Sequence, residues 1–156
     1  MGNSGQSPAP SISLILRKIS DDKALTLFNS IAVAGEGDKH IQLKQMDLTT
    51  KQYYSRISGL VDVGLIKRLK GRYSLTALGK VVYHSQMIIG KSLSYYWKLR
   101  AIESLESEHS IGPSDFSIEE KKQVIGALID DIHVKDILIN SVSSSYPSSP
   151  SIFSAE

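Results

Sequence analysis

The chain has 156 residues and a hydrophobic fraction of 41%, which is enough for one ordinary domain or a small domain with an appendage. It has no cysteine, which excludes disulfides and thiolate metal sites and fits a reducing cytoplasm. No apolar run approaches the roughly 20 residues that span a bilayer, and the N-terminus lacks the pattern of a signal peptide. We therefore expect a cytoplasmic protein with no membrane partner.

The net charge of +2 conceals an uneven distribution of charge along the chain. Residues 39–100 contain 12 Lys and Arg and only two acids, Asp47 and Asp62, whereas residues 101–156 contain 3 Lys and 10 Asp and Glu. A basic segment joined to an acidic one indicates that the basic segment meets a polyanion, although both could simply be solvated surfaces. The charge pattern therefore favours a nucleic acid as the partner.

The N-terminal region begins with a tail and then becomes apolar. Residues 1–11 are largely Gly, Ser and Pro with little to bury, so we predict a disordered tail. Apolar residues alternate from Ile12 to Leu16, which indicates either a short strand or an arm that packs on the core. Ser20 is predicted to cap the first helix, and a short second helix follows over residues 41–47.

The next stretch combines a capped helix, a glycine stop and a hairpin. Thr49 and Gln52 have the spacing of a capping box, in which two backbone N–H groups at the start of a helix find side-chain acceptors. Gly64 lies just past the helical run, where a left-handed residue commonly ends a helix. Two short strands then flank a tight turn over residues 70–72, and Thr76 opens another helix. The apolar residues on one face of the capped helix are Tyr53, Ile57, Leu60 and Val61.

This order of elements resembles the winged helix-turn-helix of prokaryotic, and especially archaeal, transcriptional regulators. The resemblance covers approximately residues 20–85. It implies a mainly α fold with a small β-hairpin (α+β), in which the winged helix-turn-helix is followed by a long helix and a C-terminal helix. The residues that carry the resemblance are Leu48, Thr49, Tyr54, Ser55, Arg56, Ile57, Leu60, Gly64, Leu65, Ile66, Arg68, Tyr73, Ser74, Leu75, Thr76 and Gly79.

The resemblance implies a recognition helix over residues 50–63 that lies in the major groove of double-stranded DNA. There glutamine would pair with adenine, lysine with guanine, and hydroxyl groups with bases or phosphates. The hairpin over residues 66–75 would be the wing, with its cations on the DNA backbone or in the minor groove. The alternative for both sets is an ordinary solvated surface. The predicted DNA-binding residues are Thr50, Lys51, Gln52, Tyr54, Ser55, Arg56, Ser58, Arg68, Lys70 and Arg72.

A long apolar helical pattern begins at Thr76 and continues to Ile102, with Gly90 as a candidate bend. The pattern is longer than a winged helix needs to cover its own core. It either packs on the C-terminal helix of the same chain or pairs with a second subunit, and its aromatic residues could also form a small ligand pocket. We favour a homodimer, because small regulators of this shape often dimerise through such helices. The predicted dimer contacts are Ile89, Leu93, Tyr96 and Trp97.

The C-terminal region is predicted to form one amphipathic helix and a tail. Ser117 and Glu120 form a second capping box, and the helical apolar pattern continues to Leu138. Residues 140–156 are rich in Ser and Pro and are predicted to be disordered.

The sequence offers no persuasive catalytic or metal site. It has no cysteine nucleophile, P-loop or dinucleotide-binding motif, so we predict no enzyme and no cofactor. Asp130, His133 and Asp136 have a three-residue spacing that could place ligands around a metal ion. A solvated acidic helix face explains the same residues more simply, and no metal is predicted.

These patterns divide the chain into four segments. Between the tails 1–11 and 140–156 lie a winged helix-turn-helix domain, 12–85, and a helical dimerisation segment, 86–139. We expect a small homodimeric transcriptional regulator that binds specific double-stranded DNA, with no effector identified. The alternative is a winged helix that acts as a protein–protein adaptor in a transcription-related or other complex. An adaptor, however, does not need positive charge on its recognition helix and wing.

Overall fold

The computed structural model of the protein describes residues 9–34, 48–107 and 117–144. Within these ranges the chain is mainly α-helical with a small antiparallel hairpin, which confirms the predicted fold class at this level. No helix in the described ranges is long and apolar enough to cross a membrane. The elements in chain order are α1 (Ile12–Ile19), α2 (Asp22–Ala34), α3 (Thr50–Asp62), β1 (Ile66–Leu69), β2 (Arg72–Leu75), α4 (Ala77–Ser94), α5 (Tyr96–Ser107), α6 (Ile118–Leu128) and α7 (Ile132–Ser144).

The chain divides into two compact units, Met1–Ser85 and Gln86–Glu156. Each unit has a hydrophobic core of its own. The predicted helix over residues 41–47 and most of the two predicted tails lie outside the described residues. The core of the first unit contains Ile19, Leu27, Phe28, Ile31, Ile57, Leu60, Val63, Leu65 and Ile66.

Residues 12–19 form helix α1, so the strand that the alternating pattern offered as one alternative is wrong. Ser11 caps the helix by accepting a backbone N–H hydrogen bond. Ile15 and Ile19, one helical turn apart, belong to or pack on the core, whereas Ile12 and Leu16 are exposed. The alternation was misleading because it included these two apolar residues on the solvent side of a helix.

Ser20 does not cap the following helix as predicted, because it forms the C-terminal cap of α1. Asp21 takes over the start of α2. Its Oδ1 accepts a hydrogen bond from the Lys23 backbone N–H at 3.4 Å, and its carbonyl oxygen accepts one from the Leu25 N–H at 2.9 Å. Two helices therefore meet at a two-residue junction.

The predicted start and stop of α3 are confirmed. Thr49 Oγ1 accepts a hydrogen bond from the Gln52 backbone N–H at 3.2 Å, and Gln52 Oε1 accepts one from the Thr49 N–H at 3.0 Å. Both halves of the capping box are thus present, which satisfies two N–H groups that a helix start leaves unpaired. At the other end Gly64 has a φ of +72°, the left-handed conformation predicted for it.

The predicted core face of α3 is right in part. Ile57 and Leu60 are buried and Tyr53 packs against the core, but Val61 is 40% exposed. Val63, just past the end of the helix, is buried in its place. The helical spacing predicted burial of Val61 and not of Val63, because Val63 lies past the last helical residue and no longer follows that spacing.

The hairpin has a two-residue turn. Ile66 pairs with Leu75 at the end nearest the core, and Leu69 pairs with Arg72 at the turn. The turn residues Lys70 and Gly71 have φ values of +50° and +80°. Two successive positive φ values are typical of a type I′ turn, whose twist matches that of the paired strands.

Helix α4 begins in close contact with the segment between α3 and the hairpin. Thr76 Oγ1 accepts a hydrogen bond from the Gly79 N–H at 2.9 Å and donates one to the Gly64 carbonyl oxygen at 2.5 Å. A Cβ atom at Gly79 would lie 1.9 Å from the Leu65 carbonyl oxygen. Only glycine allows this approach of the helix to the chain.

The predicted single helix over residues 76–102 is wrong, because the second unit contains a break at Tyr95 between α4 and α5. The Tyr95 N–H donates to the Ser92 carbonyl oxygen at 3.0 Å, only three residues back, which is a tighter turn than an α-helix makes. Gly90 lies inside α4 and does not mark the break. The core of this unit contains Ile102, Ile125, Ile129, Val134 and Val142.

The predicted single C-terminal helix is also wrong, because the chain forms α6 and α7 with a short break between them. The capping box of Ser117 and Glu120 at the start of α6 is confirmed. Asp131 starts α7, where its Oδ1 accepts hydrogen bonds from two backbone N–H groups of the first turn, at 3.1 and 3.2 Å. Helix α7 continues to Ser144 and buries Val142, so the predicted start of the tail at residue 140 is too early.

Candidate nucleic-acid interface

The outward face of α3 is polar and exposed near its N-terminus. Tyr54 is 58% exposed, and its ring meets the partly buried ring of Tyr53 edge to face, with centroids 5.3 Å apart. Partial burial raises the pKa of Tyr53. This face therefore offers hydroxyl groups and one cation to a ligand. The exposed predicted DNA-binding residues on α3 are Thr50, Lys51, Gln52, Tyr54, Ser55 and Ser58.

Gln52 is exposed but already engaged. Its Oε1 completes the capping box with the Thr49 N–H at 3.0 Å. A bidentate pair with adenine uses both the oxygen and the nitrogen of the side-chain amide. Gln52 could make that pair only by leaving the cap, so Lys51 and Ser55 are better placed than Gln52 to read bases.

Arg56 is held by another part of the first unit. Its Nε and Nη2 donate to Asp21 Oδ2 at 2.7 and 2.6 Å, and its Nη1 donates to the Gln52 carbonyl oxygen at 3.4 Å. The hydrogen bonds from Arg56 hold the pKa of the Asp21 carboxyl below its ordinary value. Asp21 was not predicted as a partner, because no local signal links two residues that lie 35 positions apart.

The hairpin carries a cluster of exposed cations. Lys67, Arg68, Lys70 and Arg72 are all exposed, and the Arg68 guanidinium lies 6.0 Å from the centroid of the Tyr73 ring. In the described part of the chain, no carboxylate forms an ion pair with Lys67, Arg68 or Lys70. The positive charges of Lys67, Arg68 and Lys70 are therefore exposed to an external anion.

A surface cavity of about 420 Å³ lies beside the turn of the hairpin. The buried Ser74 hydroxyl at this cavity has no hydrogen-bond partner among the described residues. Hydroxyl groups and cations are the side-chain groups that most often contact phosphate and sugar oxygens. The described residues that line the cavity are Leu69, Lys70, Arg72, Tyr73 and Ser74.

A second candidate surface lies in the second unit. Ile89, Leu93, Tyr96 and Trp97 are exposed by 61, 67, 50 and 79%. The rings of Tyr96 and Trp97 meet edge to face with centroids 5.1 Å apart. We refer to these four residues as the exposed apolar set. They do not belong to the core of their own unit, whereas four interspersed residues do belong to it or pack on it: Ile88, Tyr95, Leu99 and Ile102.

The acidic residues considered as metal ligands do not form a cluster. No group of three or more His, Cys, Asp or Glu side chains in the described ranges could hold a metal ion. Asp130, His133 and Asp136 are each exposed. The neighbouring Asp131 is instead engaged by the Lys91 ammonium at 2.5 Å, which links α7 to α4.

Comparison with known proteins gives no relative for this chain. No protein family, no curated protein and no solved structure matches it. The candidate interface therefore stands on the geometry and charge of its own residues.

Proposed function

We propose that the first unit is a winged helix-turn-helix that binds double-stranded DNA, and that the protein is a small homodimeric transcriptional regulator of the cytoplasm. The observation that carries the proposal is a capped helix with an exposed polar face next to a hairpin with exposed cations. Helix α3 contacts β1 directly, so the two elements pack together within the first unit. Lys67, Arg68 and Lys70 lack carboxylate partners among the described residues.

In this proposal α3 enters the major groove and the hairpin lies on the backbone. Lys51 and Ser55 contact base edges, because they are exposed on α3 and not engaged in the capping box. Lys70 and Arg72 neutralise phosphates, and their contacts carry affinity with little sequence information. In this proposal α3 provides sequence specificity, and the hairpin provides most of the affinity that does not depend on sequence.

The exposed apolar set supports the proposed homodimer. Its four side chains are mostly apolar and are each at least half exposed. Exposed apolar surface of this kind commonly marks a protein–protein contact. A second copy covers such a surface through a two-fold axis, the commonest symmetry of soluble oligomers. A dimer would also carry two α3 helices, as dimeric helix-turn-helix proteins do when they bind two half-sites of one duplex.

The proposal is tested by measuring DNA binding at several salt concentrations with fragments selected from the source genome. Neutralisation of about four to six phosphates per protomer gives a dimer a log–log salt slope of roughly −7 to −11. Lys51→Ala should relax sequence preference by about 1–3 kcal/mol at one base position. Arg72→Ala should instead weaken binding to all fragments to a similar extent.

A protein–protein adaptor would give a different result in the same experiment. It would enrich no fragment and would show a slope near −1 or no binding. Equal and sequence-independent losses from both variants would mean that α3 does not read bases, even if the basic hairpin binds DNA.

A further inference from the structure

The ion pair between Arg56 and Asp21 joins the proposed recognition helix to another helix of the first unit. Arg56 lies on α3, the helix proposed to enter the groove, and Asp21 lies at the start of α2. A single carboxylate oxygen accepts two of the arginine hydrogen bonds, at 2.6 and 2.7 Å. The guanidinium is therefore held in the same manner in which a phosphate oxygen would hold it.

Both members of the pair are accessible to a competing anion. The Asp21 side chain is 49% exposed and the Arg56 side chain is 23% exposed. A phosphate of a bound duplex therefore competes with the carboxylate for the guanidinium, and screening by water and salt keeps the ion pair weak. Displacement would leave the Asp21 charge next to the DNA backbone, which is unfavourable, so Asp21 keeps the guanidinium in the natural chain.

We propose that Asp21 sets the DNA affinity of the protein by occupying the Arg56 guanidinium in both the free and the DNA-bound state. In this arrangement the Asp21 carboxylate accepts the hydrogen bonds that a DNA phosphate would otherwise accept from Arg56. One cation is thereby removed from the DNA-binding surface. The inference rests on the proposed DNA-binding function. It adds a residue outside α3 and the hairpin that determines how tightly they bind.

The variant that tests the proposal is Asp21→Asn. Asparagine caps a helix about as well as aspartate does, so the start of α2 is retained while the charge is lost. The variant should bind duplex DNA about two- to fivefold more tightly per protomer. Its salt slope should become steeper by about 1 per protomer, because one more phosphate is neutralised.

Asp22→Asn is the matched control, since it removes the same charge from the next residue. Asp22 is exposed and lies at the first position of α2, and no ion pair joins it to a described residue. Asp22→Asn should leave the salt slope unchanged. Equal effects of the two variants would show a general charge effect and overturn the proposal.

Arg56→Gln provides a second test that does not depend on Asp21→Asn. In the natural chain it should change the salt slope little, because the guanidinium is already engaged by Asp21. In the Asp21→Asn chain it should cancel the gain in affinity. A large loss of binding from Arg56→Gln alone would overturn the proposal, because Arg56 would then contact DNA in spite of Asp21. Failure of the natural chain to bind any duplex would instead refute the proposed function.

Discussion

Gly79 shows how one residue can decide the packing of the first unit. Its backbone N–H binds the Thr76 hydroxyl, and its missing side chain lets α4 approach the Leu65 carbonyl oxygen. A methyl group there would overlap with a backbone atom, which cannot rotate away as a side chain can. The glycine is therefore required by space and not by a left-handed conformation.

We predict that Gly79→Ala lowers the free energy of unfolding by about 2–3 kcal/mol, in the range of other overpacking substitutions. Gly90→Ala is the control in the same helix, because a Cβ atom added there would meet no other atom within 4 Å. That change should raise the free energy of unfolding by about 1 kcal/mol, since alanine favours a helix over glycine. Urea denaturation followed by circular dichroism measures both. A neutral Gly79→Ala would mean that the two segments separate easily.

At the scale of single residues, the most reliable predictions were those that depend only on neighbouring residues in the sequence. The capping box of Thr49 and Gln52 and the left-handed Gly64 depend only on neighbouring residues, and both are confirmed. The Asp21 partner of Arg56 could not be predicted, because it depends on which surfaces meet. The sequence predicted Gln52 both for the capping box and for DNA contact, and it did not indicate that the first use engages the oxygen that the second needs. The sequence therefore predicts which residues belong to the candidate site. It does not predict which of their side-chain groups are already hydrogen-bonded within the protein.

At the level of elements, hydrophobic periodicity identified where helices lie but not where they break. The apolar pattern continues through Tyr95 because the residue packs on the core of the second unit even though the helix ends there. The Ser-rich sequence after residue 140 suggested disorder, yet burial of Val142 extends α7 to Ser144. Tertiary packing overrides weak helix propensity in such stretches.

The link between α4 and α7 gives the second unit a defined dependence on pH. The hydrogen bond from Lys91, together with those from two backbone N–H groups, lowers the pKa of Asp131. A carboxyl whose pKa is lower in the folded state stabilises the fold above its unfolded pKa of about 3.9. That stabilisation is lost as the pH falls through the folded pKa.

We predict that Asp131→Asn reduces the loss of stability between about pH 5 and pH 3. Asparagine can still accept the backbone hydrogen bonds at the start of α7, so the variant mainly removes the charge. Urea denaturation at both pH values measures the difference. Asp130→Asn is the control, since Asp130 is exposed and adjacent, and it should retain the pH dependence of the natural chain. An unchanged pH dependence in Asp131→Asn would contradict the prediction.

For the whole molecule, we propose that the first unit binds DNA and that the second unit forms the dimer. The exposed cations of the hairpin lie in the first unit, and the exposed apolar set lies in the second. The sequence predicted both groups from charge and from apolar excess. The four residues that the sequence predicted as dimer contacts are exposed and lie outside the core, although their helical period alone fits core and surface positions alike.

We predict that Leu93→Glu combined with Tyr96→Glu gives a folded monomer that binds DNA far more weakly than the natural chain. The charges would oppose burial of the exposed apolar set in a dimer but would stay in water in the monomer. Light scattering at tens of micromolar measures the mass, and circular dichroism measures folding. Val33→Glu, a change at a residue that is 77% exposed on α2, should leave the dimer intact. A natural chain that is monomeric would refute the dimer, and an unfolded double variant would assign the two residues to the core.

Lys70 places a positive charge at the turn of the hairpin at some cost in stability. It has a left-handed φ of +50° at a turn position that asparagine or glycine adopts more readily. A side chain with a Cβ loses about 1 kcal/mol in that conformation. The hairpin therefore carries this cation at the expense of thermal robustness.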